Sequence, residues 1–153
     1  MFIKALLALL ILPGSLGLIL PLTMSYIKGL KPVCIIPGII FILIGIFIVF
    51  LCAKDFYVKG KGTLAPWSPP KKLVSIGLYR YTRNPMYIGV IILVLGFTVF
   101  FLSRVLLIYL SGLIIGFHLR VVFYEEPQLK KLFGKEWDDY KAKNSRWLIK
   151  FKK

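Results

Sequence analysis

Four stretches of this chain, roughly 2–22, 33–53, 85–103 and 105–123, are apolar almost throughout. A run of about 20 apolar residues crosses the hydrocarbon core of a bilayer as a helix, because in lipid every backbone N–H and C=O must find its partner within the segment. The runs do not alternate apolar and polar residues, which argues against a transmembrane β-barrel. Composition agrees. Hydrophobic residues make up 58% of the 153 residues and the mean hydropathy is +0.81, well above the mix of a soluble domain. The expected fold is therefore all-α: an integral membrane bundle of about four transmembrane helices with a C-terminal amphipathic helical segment. The third and fourth runs meet at Ser103-Arg104 and read as a hairpin with a very short turn. The length allows one membrane domain, 1–153, in which 1–53 is an N-terminal helical hairpin acting as scaffold. The first run has features of a signal peptide (Lys4, Ser15, Gly17), but its hydrophobicity continues through Leu22, so it reads as an uncleaved helix kinked at Pro13, Gly14 and Gly17.

The formal charge of +15 is unevenly spread. Seven Lys and Arg lie in 54–84 (Lys54, Lys59, Lys61, Lys71, Lys72, Arg80, Arg83) and ten in 120–153. The 22–32 connection holds only Lys28 and Lys31, and the 103–104 turn only Arg104. The positive-inside rule then puts both termini and the 54–84 loop in the cytoplasm, with the protein in a cell inner membrane. Topology and attraction to anionic membrane lipids account for this charge. Nucleic-acid binding would need a folded basic surface for which the composition leaves little room. Cys34 and Cys52 bound the second run, about 27 Å apart along a helix, beyond disulfide reach. One His and two distant Cys make no metal-ligand set, so no metal is expected.

Composition shifts at Lys54. The Gly, Pro and Lys-rich segment from Lys59 to Lys72 reads as an irregular interfacial loop with Trp67 as a headgroup-level anchor. Asn84-Pro85 marks a helix start, with Asn84 as cap and Pro85 at the first helical position. Toward the C-terminus Leu129, Leu132, Phe133, Trp137 and Tyr140 recur at helical spacing, interrupted at Gly134, which reads as one or two short helices on the membrane surface. Glu126-Pro127 is expected to break the fourth span from that piece.

Acidic residues are scarce: six in all, five of them (Glu125, Glu126, Glu136, Asp138, Asp139) within fifteen positions. On the topology above, Glu125 and Glu126 face Arg80, Arg83 and Asn84 across the mouth of the bundle. Ionisable groups at a membrane edge are functional candidates; the plainer reading is that the glutamates offset nearby lysines. His118 shares a helical face with Val122 and Glu125 and reads first as a hydrogen-bonded structural residue. Gly112 and Gly116 suggest close helix packing, with room for a ligand as the minority reading. Tyr79, Tyr81 and Tyr87 suit either a cationic ligand or the interfacial aromatic belt.

The stretch Gly77-Leu78-Tyr79-Arg80-Tyr81-Thr82-Arg83-Asn84-Pro85-Met86-Tyr87-Ile88-Gly89 resembles the G-x-Y-x-x-x-R-(H/N)-P-x-Y-x-G signature of integral-membrane methyltransferases, which include the isoprenylcysteine carboxyl methyltransferases and the phospholipid N-methyltransferases. A second block, Glu125-Glu126-Pro127-Gln128-Leu129 through Phe133-Gly134-Lys135-Glu136-Trp137-Asp138-Asp139-Tyr140, is similar to that family's paired-glutamate motif, and Asn144-Ser145-Arg146-Trp147 to its terminal arginine motif. The resemblance covers about 60–153. It implies methyl transfer from S-adenosylmethionine to a lipid or lipid-modified acceptor, most like the isoprenylcysteine carboxyl O-methyltransferases. It also implies a cofactor held by Tyr79, Arg83, Asn84, Pro85, Tyr87, Glu125 and Tyr140, with Glu126 and Arg146 in catalytic roles. The region 54–153 then comprises a cytoplasmic loop, the second hairpin and a C-terminal cofactor-binding segment. Asn84 stands where the family more often has His, and Ser145-Arg146 lacks the usual flanking Val and Pro.

Residue chemistry fits such a cofactor. Arg83 suits its carboxylate, a glutamate its ammonium or ribose, and a tyrosine face its sulfonium. No Gly-rich Rossmann fingerprint is present. A carboxylate acceptor needs an orienting Arg, for which Arg146 is the candidate; an amine acceptor needs a base, Glu126 or a tyrosine. The rival expectations are a phospholipid N-methyltransferase and a non-catalytic lipid- or ligand-binding membrane protein.

Overall fold

A computed structural model describes residues 10–56 and 72–148. The expectations for the beginning of the first span, for most of the Lys59–Lys72 loop (Trp67 included) and for the last five residues lie outside the described residues. Helix α1 is π-wound over Leu10–Ile19 and continues as an α-helix over Leu20–Ile27. Helix α2 is Ile35–Asp55, α3 is Pro85–Phe101 and α4 is Arg104–Arg120. A π turn, Val121–Glu125, leads into α5, Glu126–Phe133, and α6 is Lys135–Lys143. A 3₁₀ turn, Gly77–Arg80, precedes α3. Among the described residues there is no strand, and a single isolated bridge joins Thr82 to Ser145. The fold is all-α.

Helix punctuation follows local chemistry. Pro13 inside α1 has no N–H to donate, and the helix there is wound wider than an α-helix. Pro85 opens α3 as expected, since its fixed φ suits the first helical position. Asn84, expected as the cap, makes no capping bond; its Nδ2 donates to Arg146 O. The α3–α4 turn takes two residues: Leu102, left-handed at φ 45°, and Ser103, whose hydroxyl accepts from Leu106 N at 3.4 Å.

The expected break at Glu126-Pro127 does not occur. Glu126 is helical (φ −62°, ψ −43°), and its N–H reaches back to Val121 O in the π pattern. The wider turn absorbs the proline's missing donor, so helical winding runs from Arg104 to Phe133. The break falls instead at Gly134, which takes φ 51° and separates α5 from α6. The amphipathic segment is thus two helices, the first an extension of α4 rather than a separate surface piece.

Close packing falls on other glycines than Gly112 and Gly116. Gly38 and Gly45 lie seven apart on α2, and Gly89 and Gly96 seven apart on α3, so each pair shares a face. A Cβ on Gly45 would stand 2.6 Å from Leu93 N, and one on Gly96 2.6 Å from Ile42 N. These four positions bring the antiparallel α2 and α3 backbones together, the most extensive helix pairing in the molecule. Around Gly112 and Gly116, by contrast, a Cβ meets nothing within 4 Å. The core beneath is apolar, with Val90 and Val94 of α3 buried against Leu110, Leu113 and Phe117 of α4.

Two helices, Ile35–Asp55 and Arg104–Phe133, are long and apolar enough to cross a membrane; Pro13–Ile27 and Pro85–Phe101 are apolar but shorter. Outward faces are greasy: Ile36 is 73% exposed, Ile108 73% and Phe123 74%. Contiguous apolar surface on this scale suits a lipid surround rather than water. The alternating helix directions bring Asp55, Pro85 and Glu125 to one end of the bundle, and there the site forms.

Candidate active site

Between the end of α2, the start of α3 and the far half of α4 lies a cavity of about 600 Å³, inside the roughly 300–1,000 Å³ range of small-molecule sites. Its polar end is lined by Arg83, Asn84, Tyr87, Arg120, Glu125 and Gln128, and one side by Tyr79, Trp137 and Tyr140. Its other end is apolar, built from Pro13, Leu16, Tyr109, Gly112 and Leu113.

Arg83 holds a largely buried charge at this end of the molecule. Its side chain is 7% exposed and its guanidinium packs over the Trp137 ring, 5.6 Å from the centroid. Nη1 stands 3.0 Å from Glu126 Oε1, close enough for charge attraction but off the hydrogen-bonding direction. Neither Nε nor Nη1 has a hydrogen-bond partner among the described residues. Burial pulls the Arg83 pKa down, and the Glu126 charge opposes that pull. A buried guanidinium Nε without a partner is costly unless a ligand supplies an acceptor.

Glu126 does not reach the cavity. It accepts from Arg146 twice, Nε to Oε1 at 2.7 Å and Nη2 to Oε2 at 3.0 Å, a bidentate pair behind Arg83. That pair raises the Arg146 pKa, with burial opposing. Arg146 belongs to a C-terminal strap laid across the start of α3. Arg83 N donates to Ser145 O at 3.0 Å, and both Thr82 Oγ1 and Asn84 Nδ2 donate to Arg146 O at 3.1 Å.

Glu125 faces inward. Its Oε1 accepts from Arg120 Nε at 2.9 Å and from the Tyr87 hydroxyl, so Oε2 is left for a ligand. The Tyr87 ring lies against Phe117, centroids 4.4 Å apart. Tyr140 donates its hydroxyl to Tyr79 O at 2.7 Å, tying α6 to the 3₁₀ turn. Burial raises the pKa of both Tyr79 and Tyr140, so both stay protonated at neutral pH. His118 faces away from the cavity and accepts from Trp147 Nε1 at 3.2 Å, the hydrogen-bonded role expected of it.

Of the residues singled out from sequence, Tyr79, Arg83, Asn84, Tyr87, Glu125 and Tyr140 line one cavity. Pro85 is buried at the helix start behind it, and Glu126 and Arg146 brace it from outside. Sequence reasoning missed Arg120 as the partner of Glu125. The π turn sets that pair five apart, where α-helical spacing does not look. It also missed the contribution of α1 through Pro13 and Leu16. Gly112 and Gly116 open onto the cavity, which is the reading given the lesser weight.

A model of the phospholipid methyltransferase family matches residues 33–136, from before α2 through the first residues of α6. The chain belongs to this family. No curated protein matches it significantly. As a family member it is a membrane methyltransferase, and the match spans Arg83, Asn84, Tyr87 and Glu125 together with α3, α4 and the π turn.

Proposed function

We propose that the chain transfers a methyl group from S-adenosylmethionine to a lipophilic acceptor in the membrane, as a four-span protein with its cavity on the cytoplasmic side of a cell inner membrane. The observation that carries this is Arg83: a buried guanidinium whose Nε has no partner among the described residues and whose Nη1 has only the Glu126 ion pair, lining the same cavity as the inward carboxylate of Glu125.

The residues present fit the cofactor. Arg83 would take its carboxylate, Oε2 of Glu125 its ammonium or a ribose hydroxyl, and the Tyr87 face its sulfonium. When bound, S-adenosylmethionine supplies an activated methyl group. The protein's part is to hold both partners in line and keep water out. Glu126 and Arg146 act one step back: they fix the Arg83 side chain and pin the strap over the start of α3. Pro85 sets where that helix begins.

The acceptor's reacting group is a carboxylate, as in isoprenylcysteine carboxyl O-methylation. Glu125 is taken up by Arg120 and Tyr87 through Oε1 and by the cofactor through Oε2, Glu126 is locked to Arg146, and the buried phenols of Tyr79 and Tyr140 are held protonated, so none of these groups is free to deprotonate an amine. A second reading, N-methylation of a phospholipid headgroup, is favoured by the family description. Membranes containing the protein, incubated with methyl-labelled cofactor, test both. Base-labile label released as methanol from a lipophilic product supports the first, base-stable label in phospholipid supports the second, and no label in any lipid-soluble product refutes methyl transfer to such an acceptor.

A further inference from the structure

The cavity has more apolar room than a polar cofactor can use. Its far end offers one polar group, the Tyr109 hydroxyl, and that is already spent on Leu16 O at 2.7 Å. A ligand with polar atoms there would leave them unpaired in an apolar surround. The occupant of that end has to be hydrocarbon.

Gly112 and Gly116 shape this end. They lie one turn apart on α4, line the cavity, and leave open space where a Cβ would point. Facing them across the gap are Pro13 and Leu16 of α1, and the hydrogen bond between Tyr109 and Leu16 closes it at the top. From Gly116 to Tyr109 is about 10 Å of helix. This groove runs along the helix axis, the direction in which lipid chains lie, and it joins the chamber into which Arg83 points.

We propose that Gly112 and Gly116 are specificity-determining residues. They make the groove that receives the acceptor's hydrocarbon chain, and the Tyr109–Leu16 bridge sets how deep that chain can reach. This rests on the methyltransferase reading for the word acceptor, but not for the groove itself. The glycines admit thickness, so a branched or unsaturated chain fits as well as a straight one. The bridge limits length, so the chain beyond it must bend out between α1 and α4 into lipid.

The full-length protein is reconstituted in phosphatidylcholine nanodiscs containing S-farnesylcysteine with a diazirine on its prenyl chain, irradiated, and the cross-linked peptides are mapped. Gly112→Leu fills the groove without a clash, Gly112→Ala fills it partly, and Ile115→Trp alters the lipid-facing side of the same helix. Wild type and Ile115→Trp should cross-link within 109–116 and at Pro13 or Leu16. In Gly112→Leu that yield should fall about tenfold or more, because its isobutyl group takes more room than the single methylene that already changes acceptance about tenfold in an apolar pocket, with Gly112→Ala between. Cross-links confined to outer residues such as Ile108 and Phe123, or equal yield in Gly112→Leu, overturn the proposal. Cofactor calorimetry in the same nanodiscs separates the two claims. Groove labelling without cofactor binding keeps the groove and refutes the enzyme; cofactor binding without groove labelling refutes the groove alone.

Discussion

Replacing Glu126 by Gln separates a bracing role from a catalytic one. The carboxylate is 10% exposed and serves two arginines, bonding Arg146 at 2.7 and 3.0 Å and standing 3.0 Å from Arg83. Glutamine keeps the shape and one acceptor but removes the charge. Breaking a buried pair by removing one partner costs about 3–5 kcal/mol. Here Arg146 is 31% exposed and partly recovers water, and the amide oxygen keeps one bond, so the net loss is nearer ~2–3 kcal/mol. For a chain of this length that lowers the unfolding midpoint by roughly 5–10 °C. A fluorescence melt in detergent reads it. Cofactor affinity should fall about tenfold as Arg83 loses its anchor, carrying methyl transfer down with it. The double variant Glu126→Gln with Arg146→Gln should be no less stable than the single one, because the two residues act as a unit. An unchanged midpoint and cofactor affinity, with the whole loss in kcat, would refute the brace and make Glu126 a catalytic residue.

Tyr87→Phe should leave Glu125 held by Arg120 alone, weakening cofactor binding about three- to tenfold, as equilibrium dialysis with labelled cofactor would report; equal affinity would show that the Tyr87 hydroxyl does not hold Glu125 for the cofactor. Gly45→Leu forces a side chain into the Leu93 backbone and should cost at least ~3 kcal/mol, seen as loss of folded protein in size-exclusion chromatography, while Gly112→Ala should elute as wild type. Tyr140→Phe should remove the bond to Tyr79 O and expose the cavity side of α6, raising amide exchange in 135–143; unchanged protection there would mean that packing of Trp137 holds the helix without it.

The bundle was legible because its signals are local. Apolar runs gave the helices, Ser103 the hairpin turn, and Asn84-Pro85 the start of α3. That Arg83 and the glutamates share one end of the bundle followed from topology, since antiparallel helices return their ends to one side, though only Glu126 pairs with Arg83. What was hidden depends on backbone winding and three-dimensional gaps. Pro127 reads as a breaker, yet a π turn ending two residues earlier carries the helix through it, and the same turn pairs Arg120 with Glu125 and sends Glu126 outward. Two adjacent glutamates look interchangeable in sequence; the helix directs one into the cavity and the other to Arg146. The glycines misled for a related reason. A spacing of four marks packing only if a neighbour is present, and α4 has none beside Gly112 and Gly116, whereas the spacing of seven at Gly38, Gly45, Gly89 and Gly96 does find a partner helix.

The account stands most directly on Arg83 as the anion-holding group of a cofactor chamber. Calorimetry of S-adenosylhomocysteine binding to the detergent-solubilised wild type and to Arg83→Ala measures it. One ligand per chain, with affinity lost on the order of a hundredfold in the variant, is the predicted result. A wild type that takes up no ligand, or a variant that binds as tightly, would contradict it.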